Sequence, residues 1–250
     1  MKYFDDYFSK LSPYLEFDTN AFVGNKDVPQ HLCNFILALS LAYNDYKFYN
    51  VSYDMLLKSG PANLKVRTSV CGEYAGVKFH LIRLHIAFAH ELLKLVEANK
   101  DILQHPFFKE TLRMLSKKAR ESWNIILEAA LPEKVPEKTS NLLARIRNKM
   151  VFHYDAKELF AGYKKGFFEN DKTIQNACIS LGNTLENARF YFADLAVQGY
   201  LEKGLDIDTS SFIAELEKIM RGINIALYDI CTKFIQRRGF AWSEPKRKPK

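Results

Sequence analysis

The chain has 250 residues, of which 48% are hydrophobic and 26% charged, a composition that excludes an intrinsically disordered protein. Its four cysteines form no C-x-x-C pair, so we expect reduced thiols and a cytoplasmic protein. Its longest apolar run, Phe35 to Tyr43, is too short for a membrane span, so we expect no membrane partner. The formal net charge of +7 is compatible with a partner that carries phosphate.

Apolar residues recur at helical spacing along the chain, whereas an alternation of period two never persists, so an all-α fold is predicted. The first strong helix is predicted to start near Pro29, and the segment KSGPAN, residues 58–63, ends it. A long helix is predicted from about Ala62 to Ala98, where the segment NKDILQHP begins to interrupt it.

One further helix is predicted to carry a single apolar stripe from Leu112 to Ala130. The two prolines of residues 131–139 then indicate a connector, because proline removes a helical hydrogen bond and clashes with the preceding turn. Thr139 or Ser140 can cap the next helix, whose apolar ridge would hold three residues. These are Leu143, Ile146 and Met150.

The last third is predicted to hold a loop or short broken helix at 160–171, then one stripe from Leu181 to Leu195 and another from Phe212 to Ile230. The connectors are short, which favours antiparallel neighbours. The predicted fold is therefore an all-α, antiparallel helical bundle with long helices and an N-terminal helical extension. We expect one domain over residues 1–240 and a basic flexible tail at 241–250.

Basic and polar side chains gather where the predicted helix of the stretch LLARIRNKMVFHYD, residues 142–155, should end. Arg145, Lys149 and His153 are four residues apart and lie along one face of a continuous helix. Basic residues are favoured at a helix C-terminus because it carries partial negative charge, which explains this cluster without any function.

The same stretch also offers the groups needed to cleave a phosphodiester without metal. Arg147 provides a planar, permanently charged fork that can hold the charge building on phosphorus, and Asn148 can support it. His153 can move a proton near neutral pH. Whether the helix loosens enough to bring His153 toward Arg147 is left open by the spacing.

The sequence Arg147-Asn148-(x4)-His153-Tyr154 resembles the R-x(4–6)-H motif of HEPN domains, which are small helical bundles with the motif late in the fold. The resemblance covers roughly residues 62–203. It implies a metal-independent endoribonuclease that cleaves RNA by 2′-hydroxyl attack and dimerises so that two motifs line one cleft. It also implies a role in toxin–antitoxin or antiphage defence, with an antitoxin or defence-system protein as a possible partner.

Carried over by position, the resemblance assigns phosphate stabilisation to Arg147, support to Asn148 and acid–base catalysis to His153. Contacts to RNA would come from Arg145, Lys149 and Tyr154. Tyr154 lies one residue after the histidine, whereas many members have a tyrosine two residues after it.

Glu73 and His80 share a face of the long helix and are candidate supporting residues, since HEPN-like proteins can bring a polar residue from an earlier helix to the motif. A simple surface pair is the alternative. His80, His85 and His90 recur every five residues and therefore fan around the helix, so we expect no metal site and no cofactor.

The alternative function is a non-catalytic helical scaffold whose basic helix end grips RNA or an acidic protein. Phe167 and Phe168 follow Lys164 and Lys165, so these rings could stack on bases beside phosphate contacts. An aromatic pair that anchors in the core is the plainer interpretation. A binding scaffold would bind RNA in a salt-dependent way and never cut it.

Overall fold

The computed structural model describes residues 2–13, 15–63, 68–131, 156–169, 177–181, 184, 188–201 and 209–243. The α-helices in these residues are α1 (Lys2–Ser9), α2 (Gln30–Ser59), α3 (Ser69–Ala98), α4 (Pro106–Arg113), α5 (Lys117–Ala130), α6 (Ala156–Phe167), α7 (Tyr191–Gly199) and α8 (Thr209–Arg237). Two 3₁₀ turns span Thr19–Phe22 and Ile102–Gln104. The predicted all-α class is confirmed, because the described residues hold only two isolated antiparallel bridges and no strand.

Helix α2 runs antiparallel to α3, as the contacts between the two helices show. Tyr46 in α2 contacts His85 in α3, whereas Gly60, just after α2, lies beside Tyr74 near the start of α3. The contacting position in α3 therefore moves toward its N-terminus as α2 proceeds. The sharp stop of α2 at Ser59 agrees with the predicted breaker at 58–63.

Helix α8 lies antiparallel to both α2 and α5. Its Cys231 contacts Ser40 of α2, where the hydroxyl donates to the thiol sulfur over 3.2 Å. On its other side Asp229 accepts a hydrogen bond of 2.8 Å from the backbone N–H of Ser116 at the start of α5. Gly222, about two turns earlier in α8, lies against Ser122, further along α5.

The core is formed between α2, α3, α4, α5 and α8, with Val197 of α7 and the adjacent Tyr200 also buried in it, and large aromatic rings fill its centre. Phe108 lies between Phe35 and Trp123, with ring centroids 5.8 Å and 6.1 Å apart in edge-to-face geometry. In α3 the buried positions concentrate in the C-terminal half, from His85 to Val96. The N-terminal half of α3 leaves this core and contacts α7 instead.

Two helix starts differ from the prediction because a capping side chain decides each of them. Helix α3 starts at Ser69, not near Ala62, since the Thr68 hydroxyl accepts a 3.2 Å hydrogen bond from the Cys71 N–H. The single helix predicted from Leu112 to Ala130 is wrong. Ser116 caps a new helix by accepting from the Ala119 N–H, so α4 and α5 are separate.

The predicted loop or broken helix at 160–171 is also wrong, because α6 continues to Phe167. Its Gly162 packs directly on the α7 backbone at Ala196 and Gly199, so the glycine serves close helix packing and not a break. The prediction that Leu181 belongs to a helical apolar stripe is wrong as well. Its side chain is 79% exposed, and α7 begins only at Tyr191.

The amino-terminal segment is held against the end of α8. The guanidinium of Arg238 donates to the carbonyl oxygens of Asn20 and Val23, over 3.2 Å and 2.8 Å. Glu16 and Ser243 exchange both backbone hydrogen bonds, and Trp242 packs on the core. The connector at 132–139, the ridge residues Leu143, Ile146 and Met150, and residues 244–250 lie outside the described residues.

Candidate functional site

The residues that the HEPN resemblance assigns to the motif lie outside the part of the chain that the structure describes. These are Arg145, Arg147, Asn148, Lys149, His153 and Tyr154. Glu73 and His80 are described, and both lie in the N-terminal half of α3. Glu73 belongs to a charged cluster, and His80 lies near that cluster.

The charged cluster joins α3 to α7 through Arg189. Its Nη1 donates to Glu73 Oε1 over 2.8 Å, and its Nε donates to Asp194 Oδ2 over 2.9 Å. Burial alone would lower the pKa of Arg189, but the hydrogen bonds and charges of Asp194 and Glu73 outweigh burial, and the net pKa is raised. Gly76 makes the arrangement possible, because a β-carbon there would collide with the guanidinium. Two carboxylates against one guanidinium leave this cluster anionic.

His80 lies near the same cluster but does not pair with Glu73, whose hydrogen bond goes to Arg189. Partial burial lowers the pKa of His80, the charges of Arg83 and Arg189 lower it further, and Asp194 opposes them. The imidazole is therefore neutral at pH 7, and it can accept a proton or donate one from nitrogen.

A cavity of about 430 Å³ opens between the start of α3 and α7, and we call it the α3–α7 pocket. Its walls include the rings of Phe79 and Tyr191 and the apolar side chains of Ala75, Ile179 and Leu195. Cavities that hold small molecules in proteins have volumes in this range.

The ring of Tyr191 is held in one orientation in the α3–α7 pocket. Its hydroxyl donates to the carbonyl oxygen of Ser69 over 3.2 Å, and the ring edge packs against Gly72. A β-carbon at Gly72 would lie 2.6 Å from Cε1 of that ring, so only glycine admits this contact. Among the described residues that line the pocket, Asp194 is the one acidic or basic side chain, and Arg189 fixes its carboxylate.

All four cysteines are described, none of them forms a disulfide, and they fall into two environments. Cys71 and Cys178 line the α3–α7 pocket, and Cys178 is exposed. Burial raises the pKa of the Cys231 thiol to about 11, against a hydrogen bond from Ser40 that lowers it. Burial also raises the pKa of Cys33, although Arg238 opposes the shift.

Sequence reasoning did not identify Arg189, Asp194 or Tyr191 as members of a site. Arg189 and Glu73 are 116 residues apart, and no periodic pattern connects them. The sequence did contain one usable signal. Gly72 and Gly76 are four residues apart in a long helix, and two glycines on one helix face indicate that something approaches that face closely.

Comparison with protein-family models, with curated proteins and with solved structures gave no match. Among the described residues no helix combines the length and apolarity needed to cross a bilayer. No set of three or more His, Cys, Asp or Glu side chains is suitably grouped to hold a metal ion in the same residues.

Proposed function

We propose that the chain is a HEPN-like, metal-independent endoribonuclease that works as a homodimer in the cytoplasm and serves as a toxin or in antiphage defence. The observation that carries this proposal is the spacing of Arg147, Asn148 and His153 in a chain whose described residues form helices and no strand. The net charge of +7 supports an RNA substrate. An antitoxin or another defence-system protein would be its protein partner.

In the proposed reaction the RNA 2′-oxygen attacks the adjacent phosphorus and the bond to the 5′-oxygen breaks. His153 takes the 2′-hydroxyl proton or supplies one to the leaving oxygen, and Arg147 offsets the charge that builds on the phosphoryl oxygens. The products are a 2′,3′-cyclic phosphate and a 5′-hydroxyl end. Asn148 supports the phosphate, while Arg145, Lys149 and Tyr154 contact the RNA.

The arrangement on α3 supports this proposal from a second direction. Glu73 is tied to Arg189 and through it to Asp194, which lines the 430 Å³ cavity, and His80 lies near this cluster. A neutral imidazole beside fixed charges is suited to a supporting role near a polar substrate.

The test is incubation of the purified protein with mixed RNA in excess chelator, followed by chemical analysis of the new 3′ ends. We expect cyclic phosphate ends with the wild type and at least a hundredfold slower cleavage with His153→Ala or Arg147→Ala. His31→Gln, at an exposed position of α2, is the matched control and should cut normally. Equal cleavage by His153→Ala and wild type would eliminate the proposed mechanism.

Exposure of Phe168 favours a second candidate function, a non-catalytic RNA-binding protein. The side chain is 73% exposed, just after the end of α6, so the interpretation of Phe168 as a core anchor is wrong. Tyr163 lies beside Phe167, with ring centroids 4.6 Å apart, and the two flank the exposed Lys164. Rings next to a lysine can stack on bases while the lysine contacts phosphate.

This second candidate predicts binding without cutting. RNA affinity should fall steeply as salt rises, and Phe168→Ala should weaken binding by about fivefold to a hundredfold, the range typical of one base stacked on one ring. Leu181→Ala, which removes another exposed apolar side chain, is the control. Affinity that does not respond to salt, or to Phe168→Ala, would count against this candidate.

A further inference from the structure

We propose that the α3–α7 pocket binds a nucleobase that carries an amino group, such as cytosine, adenine or guanine. The base would come from a free nucleoside or from an unstacked position in RNA. The second source rests on the proposed function, whereas the pocket chemistry is the same for both.

The walls of the α3–α7 pocket suit a flat ring. Phe79 and Tyr191 present aromatic side chains, and Ala75 and Leu195 add apolar contact. The hydrogen bond to Ser69 and the contact with Gly72 fix the Tyr191 ring before any ligand binds. A stacking partner held rigid in this way loses little conformational freedom when the ligand enters.

Asp194 supplies the group that selects the amino substituent. Its Oδ2 accepts from Arg189 Nε, while Oδ1 has no hydrogen-bond partner among the described residues. A carboxylate only accepts hydrogen bonds when ionised, so it pairs with an amino N–H and not with a ring carbonyl oxygen. Acceptance from cytosine N4 by an aspartate or glutamate is an established mode of base recognition.

Charge determines which part of a nucleotide enters the pocket. The cluster of Glu73, Arg189 and Asp194 carries one more negative than positive charge, so a phosphate group would be repelled there. The base therefore enters, and any phosphate stays outside the pocket. A neutral or cationic ring with an exocyclic amino group fits all of these features.

Cytidine and uridine form the matched ligand pair for the test. Cytidine carries an amino group at the position where uridine has a carbonyl with an N–H beside it. Binding of each to the full chain is measured by titration calorimetry. Protection of Cys71 from alkylation, read by mass spectrometry, reports whether the ligand occupies this pocket. We expect cytidine to bind about tenfold more tightly than uridine and to slow alkylation of Cys71.

Variants of the wall and of the carboxylate complete the experiment. Ala75→Phe fills the pocket and should abolish binding, whereas Ala193→Phe makes the same change at an exposed position of α7 outside the pocket. Asp194→Asn should remove the preference for cytidine. Asp229→Asn, which removes a hydrogen-bonded carboxylate far from the pocket, should keep it. Helical circular dichroism shows which variants fold.

Each outcome separates the pocket from the nuclease. Cytidine binding with no RNA cleavage leaves the pocket proposal standing and removes the proposed function. Cleavage of RNA by the wild type, together with equal affinity for cytidine and uridine or no binding of either, overturns the pocket and leaves the nuclease. Equal wild-type affinity for cytidine and uridine, or no binding of either, overturns the pocket proposal whether or not the variants fold.

Discussion

His85 makes the stability of this protein sensitive to acid. Its imidazole is buried between α2 and α3, where the ring centroid of Tyr49 lies 3.9 Å away and that of Tyr46 lies 5.3 Å away. Neither ring nitrogen has a hydrogen-bond partner among the described residues. Burial lowers the pKa of His85 to about 3, so the folded protein keeps this histidine neutral.

The size of the effect follows from proton linkage. In the unfolded chain His85 returns to its ordinary pKa of 6.5, so between pH 6.5 and pH 3 the unfolded state binds one proton more than the folded state. His85 therefore lowers the free energy of unfolding by about 1.4 kcal/mol per pH unit through this window. Between pH 7 and pH 5 the loss is about 2 kcal/mol.

Urea denaturation at pH 7 and pH 5 measures this loss. His85→Leu should lack the part of the acid sensitivity that comes from His85, so its loss of unfolding free energy should be smaller than that of the wild type by about 2 kcal/mol. At pH 7 the variant should be about 1 kcal/mol more stable, because two unsatisfied buried nitrogens are replaced by a side chain of similar volume. His31→Gln, which alters an exposed histidine, should behave as wild type. Equal losses for wild type and His85→Leu would refute the reasoning.

Three further changes test local features. Gly162→Ala should destabilise the α6–α7 pair by about 2 kcal/mol in thermal denaturation, because its methyl group meets the α7 backbone. The matched change Gly166→Ala, whose methyl group lies 3.4 Å from the nearest carbonyl oxygen, should be neutral or stabilising, and similar losses for both would contradict the packing argument. Ser116→Ala should lower the free energy of unfolding by about 1 kcal/mol in urea denaturation, because the side-chain cap of α5 is lost. Unchanged stability would show that the hydrogen bond from the residue 116 backbone to Asp229 is enough to hold the start of α5. At pH 8, alkylation followed by mass spectrometry should find Cys178 modified well before Cys231. Cys178 is exposed, whereas burial raises the pKa of Cys231 to about 11. Modification of Cys231 before Cys178 would contradict the burial of Cys231.

Periodicity predicted the helices well where one strong signal marked their ends. Helix α2 starts at Gln30, one residue after Pro29, because proline is tolerated there and disfavoured inside. The apolar stripe from Leu112 to Ala130 hid the boundary between α4 and α5. Ser116 caps α5 there, but the apolar residues before and after it keep one helical spacing. Leu181 fitted a helical spacing by chance and is exposed.

The cluster that joins α3 to α7 was not predicted from the sequence, for a physical reason. Glu73 and His80 could be named because they share one helix face, which is a local property of sequence. The partner of Glu73 is Arg189, and that contact depends on how α7 docks on α3 through Gly76. Long-range docking leaves no periodic trace, apart from the small residues that permit it.

Helix α3 is one continuous helix whose two halves are buried to different extents. From His85 to Val96 it is buried in the core, so backbone amides there should exchange with deuterium only when the whole molecule unfolds. From Ser69 to His80 it contacts α7 and lines the α3–α7 pocket, and amides there should exchange through brief local openings. One helix thus joins a C-terminal half that is fixed in the core to an N-terminal half that can open locally. A ligand in the pocket should slow amide exchange in the N-terminal half alone.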